Sequence, residues 1–152
     1  MYARSAHRQP YAWFRSGVLL VYLRPDADAS NSGWSTQAGG TTNLYLMVDD
    51  TSPDDADYVR SSKNPTADII RFRISDPASP LTQPFNVSYR YANLGTSALT
   101  LTVRLKQGTT LIKSWVHTDA AAFKTVTQTL TSGEFATITD LTDLFIEFEA
   151  GP

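Results

Sequence analysis

Glu147 and Glu149 stand two residues apart. On a β-strand that spacing sends both carboxylates to one face, roughly 7 Å apart. A retaining glycosidase places its acid/base and its nucleophile across a scissile bond in a comparable way. The position two before Glu147 is Phe145, so a Glu-x-Asp-x-Glu run is incomplete. The pair therefore reads as a solvated outer face, where two like charges also discourage edge pairing. His117 and Asp119 could serve a Ser–His–Asp triad, but no Gly-x-Ser-x-Gly elbow offers the nucleophile. They read as polar decoration at a strand end. The two histidines, His7 and His117, are too far apart in sequence to form a metal-ligand spacing.

Oxygen chemistry has one candidate place. The segment Asp49-Asp50-Thr51-Ser52-Pro53-Asp54-Asp55-Ala56-Asp57 gathers carboxylates that could hold a structural calcium. It lacks the glycine and closing glutamate of an EF-hand, and Asp capping of loop amides explains it equally well. Ala38-Gly39-Gly40 lacks the lysine and the strand-to-helix context of a phosphate loop. Arg71, Arg73, Arg90 and Arg104 fall on outward strand positions and could line up as a stripe. The adjacent Tyr89 and Tyr91 alternate away from Arg90, as core residues do, and nucleic acid is not an expected partner. Trp34 and Trp115 could stack on sugar rings. Trp115 shares its strand parity with Leu111, which favours a core position for it.

The elements that must carry these residues are almost all β. Residues 98–106 alternate strictly: Leu99, Leu101, Val103 and Leu105 on one side, Thr100, Thr102, Arg104 and Lys106 on the other. A period of two means a strand with one face buried and one wet. Similar patterns predict strands over 18–24, 43–48, 69–75, 86–92, 109–116, 124–130 and 144–150, with a short one at 58–59. Residues 25–40 read as a loop anchored by Trp34, 49–57 as an acidic loop, and 76–84, with three prolines, as a connection. Gln107-Gly108 marks a hairpin. One turn of helix at most is expected, at 120–123 or 139–144. About eight strands with long crossings predict an all-β antiparallel β-sandwich of jelly-roll or Greek-key type, built of two four-stranded sheets.

The whole composition agrees with a surface-acting domain. The 152 residues suit one domain with a real core. A net charge of −2 selects neither nucleic acid nor anionic membrane, and the absence of cysteine excludes disulfides and thiolate chemistry. No segment reaches the roughly 18 apolar residues of a membrane helix. The apolar run 17–23 is short and followed by Arg24-Pro25-Asp26, so it reads as a strand and not as a signal peptide. Charge is polarised. Residues 1–24 carry four arginines and no acid, and 25–59 carry seven aspartates and no Lys or Arg. Residues 1–16 thus read as a basic, aromatic arm preceding a domain at 17–152. Tyr11, Trp13, Phe14 and Arg15 are the expected assembly contacts, because Trp and Phe are costly to leave in water.

The order of elements carries a resemblance. Gly33-Trp34 precedes segment 43–48, which runs into Asp49 and an Asp-rich loop ending Asp57-Tyr58-Val59. A proline-broken connection leads to Val87-Ser88-Tyr89-Arg90-Tyr91. Ile138-Thr139-Asp140-Leu141-Thr142-Asp143-Leu144 precedes the closing strand. Over residues 33–150 this is similar to small jelly-roll virion proteins of tailed bacteriophages and prophages: head decoration, head-fibre or tail-associated subunits. One departure is that Phe135 lies several residues before the Thr-Asp-Leu segment instead of directly before it. The resemblance implies a non-enzymatic structural protein without cofactor, present in repeated copies, partnered by itself and other virion proteins, assembled in the host cytoplasm and located in the virion. The alternative expectation is a carbohydrate-binding module, with glycan as partner and a structural calcium in loop 49–57.

Overall fold

The computed structural model describes residues 22–52, 54–77, 84–118 and 120–152. The arm at 1–16, with Tyr11, Trp13, Phe14 and Arg15, and most of the strand expected over 18–24 lie outside the described residues. Nine strands are described: β1 (Pro25–Ser32), β2 (Ser35–Thr36), β3 (Val59–Arg60), β4 (Asp68–Ile74), β5 (Asn86–Tyr91), β6 (Thr100–Gln107), β7 (Thr110–His117), β8 (Lys124–Thr129) and β9 (Leu144–Gly151). All pairings are antiparallel. The main sheet has five strands in the order β1-β4-β9-β6-β7, and β2-β3 and β5-β8 form two-stranded ribbons. The protein is an antiparallel β-sandwich.

The pairing is nested. β6 pairs with β7, β5 with β8, and β4 with β9. The strand segments from β4 to β9 thus form one long hairpin folded over on itself, which brings β9 beside β6 as well. That is the rolled connectivity expected from the long crossings. The division into two four-stranded sheets is corrected, since one layer has five strands and the other is split into ribbons.

The core sits between these layers. Ile70, Phe72, Val103, Leu105 and Leu144 are fully buried, as their alternation requires. Phe148 of β9 lies edge-on to Phe72, with ring centroids 6.4 Å apart. Tyr89 of β5 meets Phe148 at 6.0 Å and Trp115 at 6.4 Å, tying the β5-β8 ribbon to the main sheet.

Two elements differ from expectation for one shared reason. Residues 25–32 form strand β1, not a loop, and 44–47 form a 3-10 turn, not a strand. Asp28 of β1 accepts hydrogen bonds from the amides of Leu44 (2.9 Å) and Tyr45 (2.7 Å). Asn43 enters the turn in the left-handed region, at φ 54°. In a 3-10 turn side chains three apart share a face. Leu44 is therefore fully buried while Leu46 is 45% exposed, which breaks the apparent alternation. β1, at one edge of the described sheet, carries no apolar face and is exposed over its second half. Pro25 opens it, and register shifts interrupt it at Pro25/Ala27 and Asp28/Ser30.

Smaller elements follow from local chemistry. Helix α1 (Ser132–Ala136) begins at Thr131 with a capping box: the Thr131 hydroxyl accepts from the Glu134 amide, and Glu134 accepts from the Thr131 amide. A 3-10 turn at Leu141–Asp143 is capped by Asp140. The hairpin loop is Gly108-Thr109, one residue beyond the expected pair. Gly108 has φ +54°, and a Cβ there would lie 2.8 Å from a carboxylate oxygen of Asp143. Among the described residues no helix is long and apolar enough to cross a membrane.

Candidate functional site

The outer face of the main sheet gathers most of the residues whose chemistry the sequence singles out. Arg71 and Arg73 reach it from β4, Glu147 and Glu149 from β9, and Arg104 and Lys106 from β6. Arg104 and Arg71 lie directly opposite Glu147 on either side. Glu147 is only 7% exposed. Lys106 Nζ donates to both of its oxygens, at 2.8 and 3.0 Å, and Arg104 donates at 3.1 Å. Arg104 also bridges Glu149 at 2.6 Å. The solvated pair expected at Glu147 and Glu149 is thus corrected for Glu147, which is buried and charge-matched. Burial pushes its carboxyl upward, but Lys106 and then Arg104 outweigh that and hold it below the ordinary value. A glycosidase acid needs the reverse shift.

The arginines form no free stripe. Arg73 makes a two-pronged pair with Asp26, at 2.9 and 2.6 Å. The Arg71 guanidinium sits 3.8 Å from the Phe145 ring centroid and donates to the Gly108 carbonyl. Arg90 lies on the other layer, in β5, where it grips Asp55 at 2.5 and 2.7 Å. Asp26 and Asp28 escape a sequence reading, because nothing local distinguishes them from loop aspartates.

On the inner side His117 Nε2 lies 2.6 Å from the Tyr89 hydroxyl, and Tyr91 packs on its ring at 4.9 Å. Burial pushes the Tyr89 phenol up to about 12. Burial, followed by the Lys124 ammonium, holds the His117 imidazole below its ordinary value. The neutral imidazole is therefore the form the fold prefers. A depressed folded value contributes stability above the unfolded value of about 6.5, and that stability is lost as pH falls below it. The expected result is a melting temperature that declines more steeply below about pH 6.5 in the native protein than in His117→Gln. Equal slopes for the two proteins would contradict this assignment. Asp119 lies outside the described residues, so the triad geometry has no described third member.

In the acidic loop, Asp54 caps the Ala56 amide at 2.8 Å and Asp55 is held by Arg90. Burial, followed by Asp50, Asp54 and Asp49, raises the Asp57 carboxyl. Among the described residues no three His, Cys, Asp or Glu side chains converge to hold a metal. Trp34 is buried in the core, and Trp115 packs beneath Tyr89. Neither presents the open ring that sugar stacking needs. Trp115 and Leu111 do not share a face after all. A register shift at Leu105/Lys106 inserts one residue into β7, so Leu111 turns outward beside Lys106 while Trp115 stays inward opposite Val103. An open, polar hollow of about 180 Å³ is lined by Thr66, Thr100, Thr102, Glu149, Gly151 and Pro152, without an aromatic wall.

No protein-family model matches this chain, and no curated protein and no solved structure does either.

Proposed function

We propose that this chain is a non-enzymatic structural subunit of a tailed-bacteriophage virion, a capsid-decoration, head-fibre or tail-associated protein that acts through protein–protein contacts. The observation that carries the reading is the fate of the charges on the broadest face. Glu147, Glu149, Arg104 and Lys106 are engaged with one another and Arg73 with Asp26, so these charges brace the face laterally, although the buried Nε of Arg71 beside them has no partner among the described residues. A catalytic face keeps a charged group poised toward an open cleft. The order of elements over residues 33–150 supports the same reading, with 43–48 now a turn within that order and not a strand.

In this account the arm docks the domain to a neighbouring subunit or to the shell through Tyr11, Trp13, Phe14 and Arg15. Deleting residues 1–16 should leave the fold intact, as judged by circular dichroism, and abolish incorporation into particles. Incorporation of the truncated chain at the full level would remove the arm from the mechanism.

A further inference from the structure

The two edges of the main sheet are built differently. β1 is guarded by Pro25, two register shifts and polar side chains. Those are the devices by which sheets avoid pairing with other chains. β7, at the other edge, is eight residues long with the sequence TLIKSWVH, and no described strand pairs with its far side. Its one charge, Lys113, is spent on Glu134 of α1 at 2.5 Å. Lys113 lies opposite the fully buried Leu105, on the inner side, so α1 is held there and not over the outer face.

The outward positions of β7 have an internal symmetry. Residues directly opposite each other on paired strands share a face. Thr102, Arg104 and Lys106 of the outer row therefore place Val116, Ser114 and Leu111 on that face. Because the inserted residue lies between Leu111 and Ser114, Leu111 and Val116 are the two outward neighbours of Ser114, one on each side. They are also two of the large apolar side chains that the described fold leaves exposed, at 52% and 64%.

We infer that β7 pairs antiparallel with β7 of a second copy of this chain about a two-fold axis at Ser114, joining two five-stranded sheets into one of ten. In that register, with the inserted residue accommodated as it is against β6, Leu111 meets Val116 of the partner subunit, and the reverse. Ser114 meets its own copy, a small residue at the crowded axis. Lys113 faces Trp115 of the partner subunit and never its own copy, so no like charges are opposed. An isologous pair of this kind closes on itself, which an open edge otherwise cannot do. The symmetry of these side chains favours a second copy over an unrelated strand. The inference goes beyond the virion reading, since such a dimer needs no particle.

The chain has no cysteine, so an engineered one reports only contacts between copies. In Ser114→Cys the two sulfurs face each other across strands whose Cα atoms are about 4.5–5.5 Å apart, within disulfide range. The expected results are three. The native chain sediments at twice the monomer mass. Ser114→Cys oxidises to a covalent dimer, while Leu111→Cys cross-links efficiently only when mixed with Val116→Cys. Leu111→Glu/Val116→Glu, with both changes on exposed positions, keeps its circular dichroism and raises the dimer Kd at least about tenfold. A monomeric native chain, a dimer that survives the double Glu change, or a dimer in which Ser114→Cys fails to cross-link would each overturn the inference. So would a dimer lost only on deleting residues 1–16, which would assign self-association to the arm.

Discussion

Phe72→Ala is expected to destabilise the domain by about 3–5 kcal/mol, the largest effect of any single substitution considered for this fold. Phe72 is fully buried, in the second strand of the main sheet, and its ring meets Phe148 edge-on. Truncation removes its transfer free energy and opens a cavity. The wall of that cavity is held by hydrogen-bonded strands on both sides, β1 and β9, and cannot easily collapse. For a chain of this length that corresponds to roughly 6–20 °C in melting temperature. Thermal unfolding followed by circular dichroism measures it. Val116→Ala, on the exposed edge, is the contrast, and should stay within about 0.5 kcal/mol in the monomer. A Phe72→Ala loss no larger than that of Val116→Ala would mean that the sandwich core is not where the strand register puts it.

The second large effect lies at Glu147. Breaking a buried ion pair by removing one partner costs about 3–5 kcal/mol, because the other charge is left uncompensated. Here the cost is smaller, since the side chains of Lys106 and Arg104 keep 20% and 25% of their exposure. Arg104 also retains Glu149. The stranded charge in Glu147→Gln is thus mainly Lys106, and about 2–3 kcal/mol is expected. Replacing both partners, as Glu147→Leu/Lys106→Leu, removes the stranded charge and should recover most of that loss. Equal destabilisation of the single and double variants, by denaturant unfolding, would show that packing and not charge sets the cost. The sign of the pH dependence follows. The Glu147 carboxyl is held below its ordinary value in the fold. Its contribution is present above about pH 4.5 and is lost as pH falls through the folded value.

These effects fall where local pattern and tertiary structure agree. The alternation of Ile70, Phe72 and Ile74, and of Val103 and Leu105, was legible because a period of two kept over a full strand length signals a strand with one buried face. Helix α1 falls outside the segments 120–123 and 139–144 where a helical turn was expected, and its start is set by the Thr131–Glu134 capping box. What escaped was set by distant partners. Strand β1 carries no apolar signal, since its backbone bonds to β4 and its Asp26 pairs with Arg73, 47 residues away. The turn at 44–47 is fixed by the Asp28 carboxylate, which overrides a strand-like alternation of Leu44, Leu46 and Val48. One inserted residue in β7 separated Leu111 from Trp115, and parity counting cannot foresee a bulge.

The candidate site was legible to the same degree. The outward row of Thr100, Thr102, Arg104 and Lys106 and the opposing carboxylates were identifiable by residue type. Their mutual neutralisation depends on β9 inserting between β4 and β6, which only the rolled topology provides. That arrangement turns a suspected acid pair into a brace. It also leaves β7, with Leu111 and Val116 exposed, at an edge that no described strand covers.

The role proposed for this chain is that of a building block of a particle. Its most direct test is quantitative mass spectrometry of density-gradient fractions from cells producing the particle. The account predicts that the chain co-sediments with the major shell or tail protein at a constant molar ratio across the peak. A chain that stays in the low-mass fractions, or whose ratio to the major protein drifts across the peak, would contradict it.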